Sequence, residues 1–155
     1  MKNPGHTRLR ILLFEDNKLL RSVMCRLLRE QHWEVICYPD PEGCPLRHAT
    51  KCTCSRTQVC ADVIVSDLEM PHIDGFTFLH DLLETGCKVP FVAMFTACED
   101  EARLAPAKAL GIVVFSKLVG LKPMLEWLRQ VETRVDDKRL LTSKADSLRR
   151  LRNIR

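Results

Sequence analysis

Five short apolar runs, four of them ending abruptly at a polar or charged residue, constrain this chain more than any other feature of its sequence. Arg10–Phe14 (RILLF) leads directly into Glu15, Asp16 and Asn17, the pattern of a buried strand whose C-terminal end carries acids. Asn17 can cap a helix predicted over 18–31, where Leu19, Leu20, Val23, Met24, Leu27 and Leu28 recur at three and four residues and define one buried face. A second strand is predicted at 33–38. Residues 61–66 (ADVIVS) form a third that ends at Asp67, and a helix over 75–83 follows until Gly86 stops it. The run 89–95 ends at Thr96 and precedes a helix over 99–110 interrupted by Pro106. The run 112–115 ends at Ser116 and Lys117, and 121–135 closes the series as a helix with Pro123 in its first turn.

Strands alternating with helices imply right-handed crossovers, hence an α/β fold with a five-stranded parallel sheet and helices on both faces. Such sheets bind ligands beyond the carboxyl ends of their strands. There the sequence places Glu15, Asp16, Asp67, Thr96 and Lys117. Three clustered carboxylates repel one another unless a cation neutralises them, and hard oxygen donors at a wet edge favour Mg²⁺, which also binds phosphate oxygens. With that charge and the Lys117 ammonium countering the equatorial oxygens, in-line attack by the Asp67 carboxylate on a phosphoryl donor becomes feasible. Thr96 can then hydrogen-bond the new group. The resulting acyl phosphate is labile, which makes the site a timed switch. Any one of these residues alone reads as a solvated strand end; their coincidence at matching ends carries the functional reading.

The segments LLFEDN, VIVSDLEMPHIDGFTFL and FVAMFTA, together with the strand ending at Lys117, resemble the receiver domains of two-component response regulators. The resemblance spans residues 9 to about 134 and implies the flavodoxin-like receiver fold. It implies that Asp67 is the phosphoacceptor, that Glu15 and Asp16 are the acidic pair, and that Glu69 lends a backbone carbonyl to Mg²⁺. Thr96 becomes the switch hydroxyl and Lys117 the phosphate-binding amine. The implied partners are a sensor histidine kinase or phosphotransfer protein and a downstream protein. The chain then acts as a signalling module, and its only catalysis is its own phosphoryl transfer and dephosphorylation.

Three departures from that pattern stand out. Leu118 rather than Pro follows Lys117, so an ordinary trans peptide is expected. Val114 stands where the family has a switching aromatic, and Phe115, one residue later, can substitute only through a bulge that shifts the register. The largest departure is 39–60, which contains Pro39, Pro41, Gly43 and Pro45 and no helical period, so the second helix of the fold should be missing or shortened.

Four of the eight cysteines, Cys44, Cys52, Cys54 and Cys60, fall in that Cys-rich loop. A tetrathiolate Zn²⁺ site there would replace the lost packing, with His48 and Cys37 as substitute ligands and an iron–sulfur cluster as the less favoured alternative. Cys25 and Cys37 read as small core residues, Cys87 as a loop thiol, and Cys98 as a neighbour of the phosphorylation pocket.

Residues 1–8 read as an N-terminal extension, 9–135 as the receiver unit and 136–155 as a basic C-terminal helical extension. In 137–155 seven Lys or Arg face two Asp, whereas 1–136 hold 17 basic and 18 acidic residues. The body is near neutral, which argues against DNA binding, and the tail is suited to docking on a partner or a second copy. About twenty residues after Val135 are too few for an output domain, so a stand-alone receiver is expected. No apolar run approaches the ~20 residues that span a bilayer, and the expected compartment is the cytoplasm. A metal- or redox-sensing regulator working through the Cys44, Cys52, Cys54 and Cys60 cluster is the alternative function; a nucleic-acid-associated protein using the basic tail ranks last.

Overall fold

A computed structural model describes residues 8–142, apart from 49, 53 and 56. Its centre is a parallel five-stranded sheet. The strands are β1 (Arg10–Phe14), β2 (Glu34–Tyr38), β4 (Val63–Ser66), β5 (Phe91–Thr96) and β6 (Val113–Ser116), ordered β2-β1-β4-β5-β6. β1 and β4 are buried along their whole length, as continuous apolar runs in the middle of a two-sided sheet must be. The chain leaves β1 toward β2 on one side and crosses to β4 on the other, so the strand order reverses beside β1.

Helices α1 (Lys18–Glu30) and α4 (Lys122–Arg134) cover one face. Met24, Leu28, Met124, Leu128 and Val131 there meet Ile11, Leu13, Val63, Val65, Ala93 and Phe95. The other face is covered by α2 (Gly75–Glu84) and α3 (Glu101–Ala109), whose Phe78, Leu79, Leu82, Leu104 and Ala107 pack on Leu12, Phe14, Ile64 and Met94. Asn17, Asp74 and Asp100 cap α1, α2 and α3, each accepting a backbone N–H from the first turn.

The expected loss of a second helix is observed. Residues 39–60 make two 3₁₀ turns, Pro41–Gly43 and Pro45–His48, and a two-residue strand β3 (Gln58–Val59). Each turn opens on a proline, which presets the backbone but cannot supply the amide of a continuing α-helix. Cys44 fills the space against the second core and is almost fully buried.

Several expectations need correction. Leu19 and Val23 were assigned to the buried face of α1, yet they are 76% and 43% exposed. The helical period explains this: Met24, Cys25 and Leu28 centre the buried stripe, and positions 19 and 23 project from the opposite side. The helix over Glu101–Ala109 continues through Pro106, which sits exposed and forfeits one backbone bond without breaking so short an element.

Cys25 and Cys37, expected as unlinked core residues, face each other between α1 and β2 with Cα atoms 6.8 Å apart and are joined as a disulfide. Cys37 thereby leaves the set of substitute metal ligands. A reducing compartment would hold that bond open as two facing thiols.

Finally, Leu140–Leu141 is a strand, β7, rather than the start of a helix. It pairs in parallel with β3, Gln58 opposite Leu140 and Val59 opposite Leu141. The rest of the expected C-terminal helix (143–155) and residues 1–7 lie outside the described residues, as does the side chain of His48.

The pairing of β7 is anchored by buried charge. The Arg139 guanidinium forks onto both carboxylate oxygens of Asp62, and Asp62 also accepts the backbone N–H of Arg10. Arg10 in turn donates to Glu34, to the carbonyl of Cys60 and to the carbonyl of Thr142. These groups occupy the edge of the sheet where the strands begin.

Candidate functional site

At the opposite edge, each strand end delivers one part of a pocket. Glu15 and Asp16 follow β1, Asp67 follows β4, Thr96 ends β5 and Lys117 follows β6. Neighbouring strands in parallel register bring these ends level, with Phe14 opposite Ser66, Ser66 opposite Met94 and Thr96 opposite Ser116. One carboxylate oxygen from each of Glu15, Asp16 and Asp67 lies within 4.8 Å of the others. Among the described residues this is the only such group of three or more potential metal-ligating side chains. Asp16 is exposed while Glu15 and Asp67 are buried, so the cluster opens to solvent on one side. Closely set hard oxygen donors with an open side fit a small hydrated dication such as Mg²⁺.

The Lys117 Nζ donates to Asp67 Oδ2 at 2.7 Å and pairs with Glu15 Oε2 at 2.8 Å. Burial works against the charged ammonium, but the hydrogen bonds and charges of Asp67 and Glu15 outweigh it and raise the pKa of Lys117. Burial raises Glu15 above the usual carboxylate value; the Lys117 hydrogen bond opposes this and the Asp67 charge adds to it. Backbone amides hold the acids in place: Leu68 N–H donates to Asp67 Oδ1 at 2.7 Å and Asn17 N–H to Glu15 Oε1 at 3.1 Å. Two buried carboxylates and one shared amine leave unneutralised negative charge, to which Asp16 adds.

Thr96 is buried, and its Oγ1 accepts the N–H of Cys98 at 3.1 Å, so the hydroxyl sits at the strand end with its own hydrogen free to donate. Glu69 turns its carboxylate away to Arg103, 3.0 Å distant, and any part it takes in the pocket falls to its backbone. The peptide after Lys117 is trans, as expected, since the described residues contain no cis bond. Val114 and Phe115 keep their alternation because β6 pairs with β5 without a bulge. Val114 packs on the second core and Phe115 on Trp127 of α4, ring centroids 5.5 Å apart, so Phe115 does not substitute for the missing aromatic.

Two contributors were not singled out as site residues. Gly75 donates its N–H to the Leu68 carbonyl at 2.7 Å, and a Cβ at that position would come within 1.9 Å of the Asp67 carbonyl oxygen. Only glycine lets α2 start this close to the acceptor loop, and the Asp74-Gly75 pair was its signal. Arg21 donates to the carbonyls of Glu15 and Asp16 at 2.8 and 3.2 Å and ties the first helix to the acidic turn; a lone arginine in a helix gave no signal of that.

The thiols divide differently from the expected set. Cys44 is withdrawn from the other loop cysteines and hydrogen-bonds Tyr38; burial pushes its thiol up to about 11. Cys52, Cys54 and Cys60 gather instead around Cys87 from the loop after α2. No described helix is long and apolar enough to cross a membrane.

The family model described as the response regulator receiver domain matches residues 11–127. A protein-glutamate methylesterase/protein-glutamine glutaminase 2 of Hahella chejuensis is 31% identical over 125 residues, 78% of this chain and 32% of its own length. The corresponding protein of Trichodesmium erythraeum is 30% identical over 105 residues, 68% of this chain and 28% of its own length. The chain thus spans about a third of the curated relatives it matches. Among solved structures, the receiver domain of the hybrid histidine kinase CckA superposes with a TM-score of 0.58 at 27% identity, covering 79% of this chain and 98% of that one. The Vibrio cholerae chemotaxis protein CheY4 superposes at 0.64 with 24% identity, covering 81% and 99%, and shows the same fold.

Proposed function

The chain belongs to the response-regulator receiver family, and on that premise we propose that Asp67 accepts a phosphoryl group from the phosphohistidine of a sensor kinase or phosphotransfer protein and releases it to water. The observation that carries this reading is the Asp67 carboxylate held between Lys117 and the Glu15–Asp16 pair. Mg²⁺, held by Glu15, Asp16, Asp67 and the Glu69 carbonyl, would supply positive charge to the phosphoryl oxygens.

The protein's own residues do the rest. Leu68 N–H fixes one Asp67 oxygen and Lys117 the other, so the carboxylate is oriented before the donor arrives. An Asp67 oxygen forms the new P–O bond as the bond to the histidine nitrogen breaks. Lys117, already close to Asp67, follows the charge that develops on the transferred group, and Thr96 donates its hydroxyl hydrogen to it. Glu15 is relieved of its share of the amine at that moment. The exposed pair Leu19 and Val23, just beyond the acidic turn, offers apolar surface to the donor protein. The module signals to a downstream protein and works in the cytoplasm beside its kinase.

The test is intact mass after incubation with Mg²⁺ and a small phosphodonor. One phosphoryl mass, labile to hydroxylamine and absent in Asp67→Asn or with chelator, is expected. An adduct that persists in that variant would overturn the assignment.

A further inference from the structure

Four thiols that the phosphoryl chemistry does not use converge at the edge where the strands begin. Cys60 directly follows β3 and lies shortly before β4, and Cys87 lies shortly before β5, whereas Asp67 and Thr96 stand at the far ends of β4 and β5. Cys52 and Cys54 come from the loop in front of β3. The Cys52 N–H donates to the carbonyl of Thr85 at 2.9 Å, which seats the loop on the C-terminal end of α2. Gly86, at φ 78°, then turns the chain so that Cys87 returns beneath it.

The sulfurs meet as two contacting pairs, Cys54 with Cys60 and Cys52 with Cys87. Cys60 also senses the charge of Cys87 and Cys52, so the pairs are neighbours. All four are half-buried and none is in a disulfide. They are set wider than the carboxylate cluster, and a bound ion would draw the two pairs together.

We propose that Cys52, Cys54, Cys60 and Cys87 bind one Zn²⁺ as thiolates, with Cys87 as the fourth ligand in place of Cys44. Four sulfur donors are the soft set that closes a tetrahedral structural site. Thiolates brought together on one site repel one another, and a dication removes that repulsion as the four protons leave. The completed site would carry a double negative charge. Lys51 and Lys88, exposed and each adjacent in sequence to a ligand, offset it, as does the Arg10 guanidinium on the Cys60 carbonyl.

The site has a structural consequence beyond its own loop. Cys54 and Cys60 flank β3, the strand on which β7 is laid. Zinc therefore ties β3 to the end of α2 and, through β3, holds β7 in place. Cys44 has no share in this, since it is engaged with Tyr38 on the inner side of the first 3₁₀ turn.

The full chain, purified under reducing, zinc-replete conditions, should carry one zinc per molecule by elemental analysis. Replacement by Co²⁺ should give the intense visible absorption of a tetrahedral tetrathiolate. Cys87→Ser should lose stoichiometric zinc and Cys44→Ser should keep it. Alkylation of the unmodified protein followed by peptide mass mapping provides a readout that needs no variant. Cys52, Cys54, Cys60 and Cys87 should be protected with zinc and become reactive after chelation. Stripping zinc with a thiophilic chelator should also lower the melting temperature, while Asp67 still takes up a phosphoryl group once the chelator is removed and Mg²⁺ restored. Absence of stoichiometric zinc, iron in its place, disulfides among these four cysteines, or zinc retained in Cys87→Ser and lost in Cys44→Ser would each overturn the proposal.

Discussion

The two edges of the sheet handle charge in opposite ways. Where the strands begin, Asp62 and Glu34 meet Arg139 and Arg10, two carboxylates against two guanidiniums, with the remaining donors placed on the carbonyls of Arg8, Cys60, Asp136 and Thr142. Where the strands end, three carboxylates cluster and the single ammonium of Lys117 pairs with two of them, Glu15 and Asp67. The first set is complete within the chain and holds the fold together. The second is incomplete within the chain, and that deficit of positive charge is what a dication can answer, the dication then being able to meet phosphoryl oxygens. The same residue types thus serve structure or chemistry according to whether their charges are matched inside the protein.

The comparison breaks most visibly if the matched edge is unmatched. Arg139→Ala leaves Asp62 buried without its partner, and a loss of about 3–5 kcal/mol in urea unfolding is expected. Asp67→Asn, by contrast, should abolish phosphorylation yet move stability by no more than about 1 kcal/mol, because it relieves repulsion with Glu15. Similar losses in the two variants would erase the distinction between the edges.

A smaller effect is expected where the fold presses directly on the chemistry. Gly75→Ala forces its new methyl into the Asp67 carbonyl, and the shift of α2 that follows should cost about 1–3 kcal/mol and slow phosphorylation together. Normal phosphorylation kinetics in this variant would show that the acceptor loop does not need α2 so close.

Lys117→Ala sharpens the division of roles within the open edge. Its phosphorylation should slow by about 10²-fold while Mg²⁺ affinity changes little, since the amine answers phosphoryl charge and the acids answer the metal. Mg²⁺ titration beside phosphodonor kinetics separates the two.

The smallest signal comes from Tyr38, the one tyrosine of the chain. Burial, then the neighbouring Cys44 and Cys60, pushes it up to about 12 from 10.0. Because the folded value lies above the unfolded one, the stability tied to neutral Tyr38 is intact below pH 10 and falls as pH rises toward 12. Ultraviolet titration should show a single late tyrosinate transition in the native protein and one near pH 10 in denaturant.

Much of the open edge was legible because each of its residues stops an apolar run. RILLF ends at Glu15, VIVS at Asp67 and FVAMF at Thr96, and parallel pairing aligns these ends. The lost helix was legible too, since prolines at 39, 41 and 45 act locally. What escaped was set by distance along the chain. Nothing near Asp62 announces a partner 77 residues away in Arg139, and Cys87 joins the thiols of the insertion only through tertiary folding. At the start of the expected C-terminal helical extension a related reason holds: Leu140 and Leu141 pair with β3, and strand pairing overrides a local helical preference that carries little energy by itself.

The strap formed by β3 and β7 has a kinetic meaning. Its fastening bond runs from Arg10 to Thr142, across 132 residues, so nearly the whole described chain must be ordered before the contact can close. Such a closure belongs late on the folding path, after the local β1–α1–β2 unit has formed, and its loss should mainly speed unfolding. In amide hydrogen exchange β7 should therefore open ahead of the sheet, as a latch that releases while the phosphoacceptor end of the molecule is still intact.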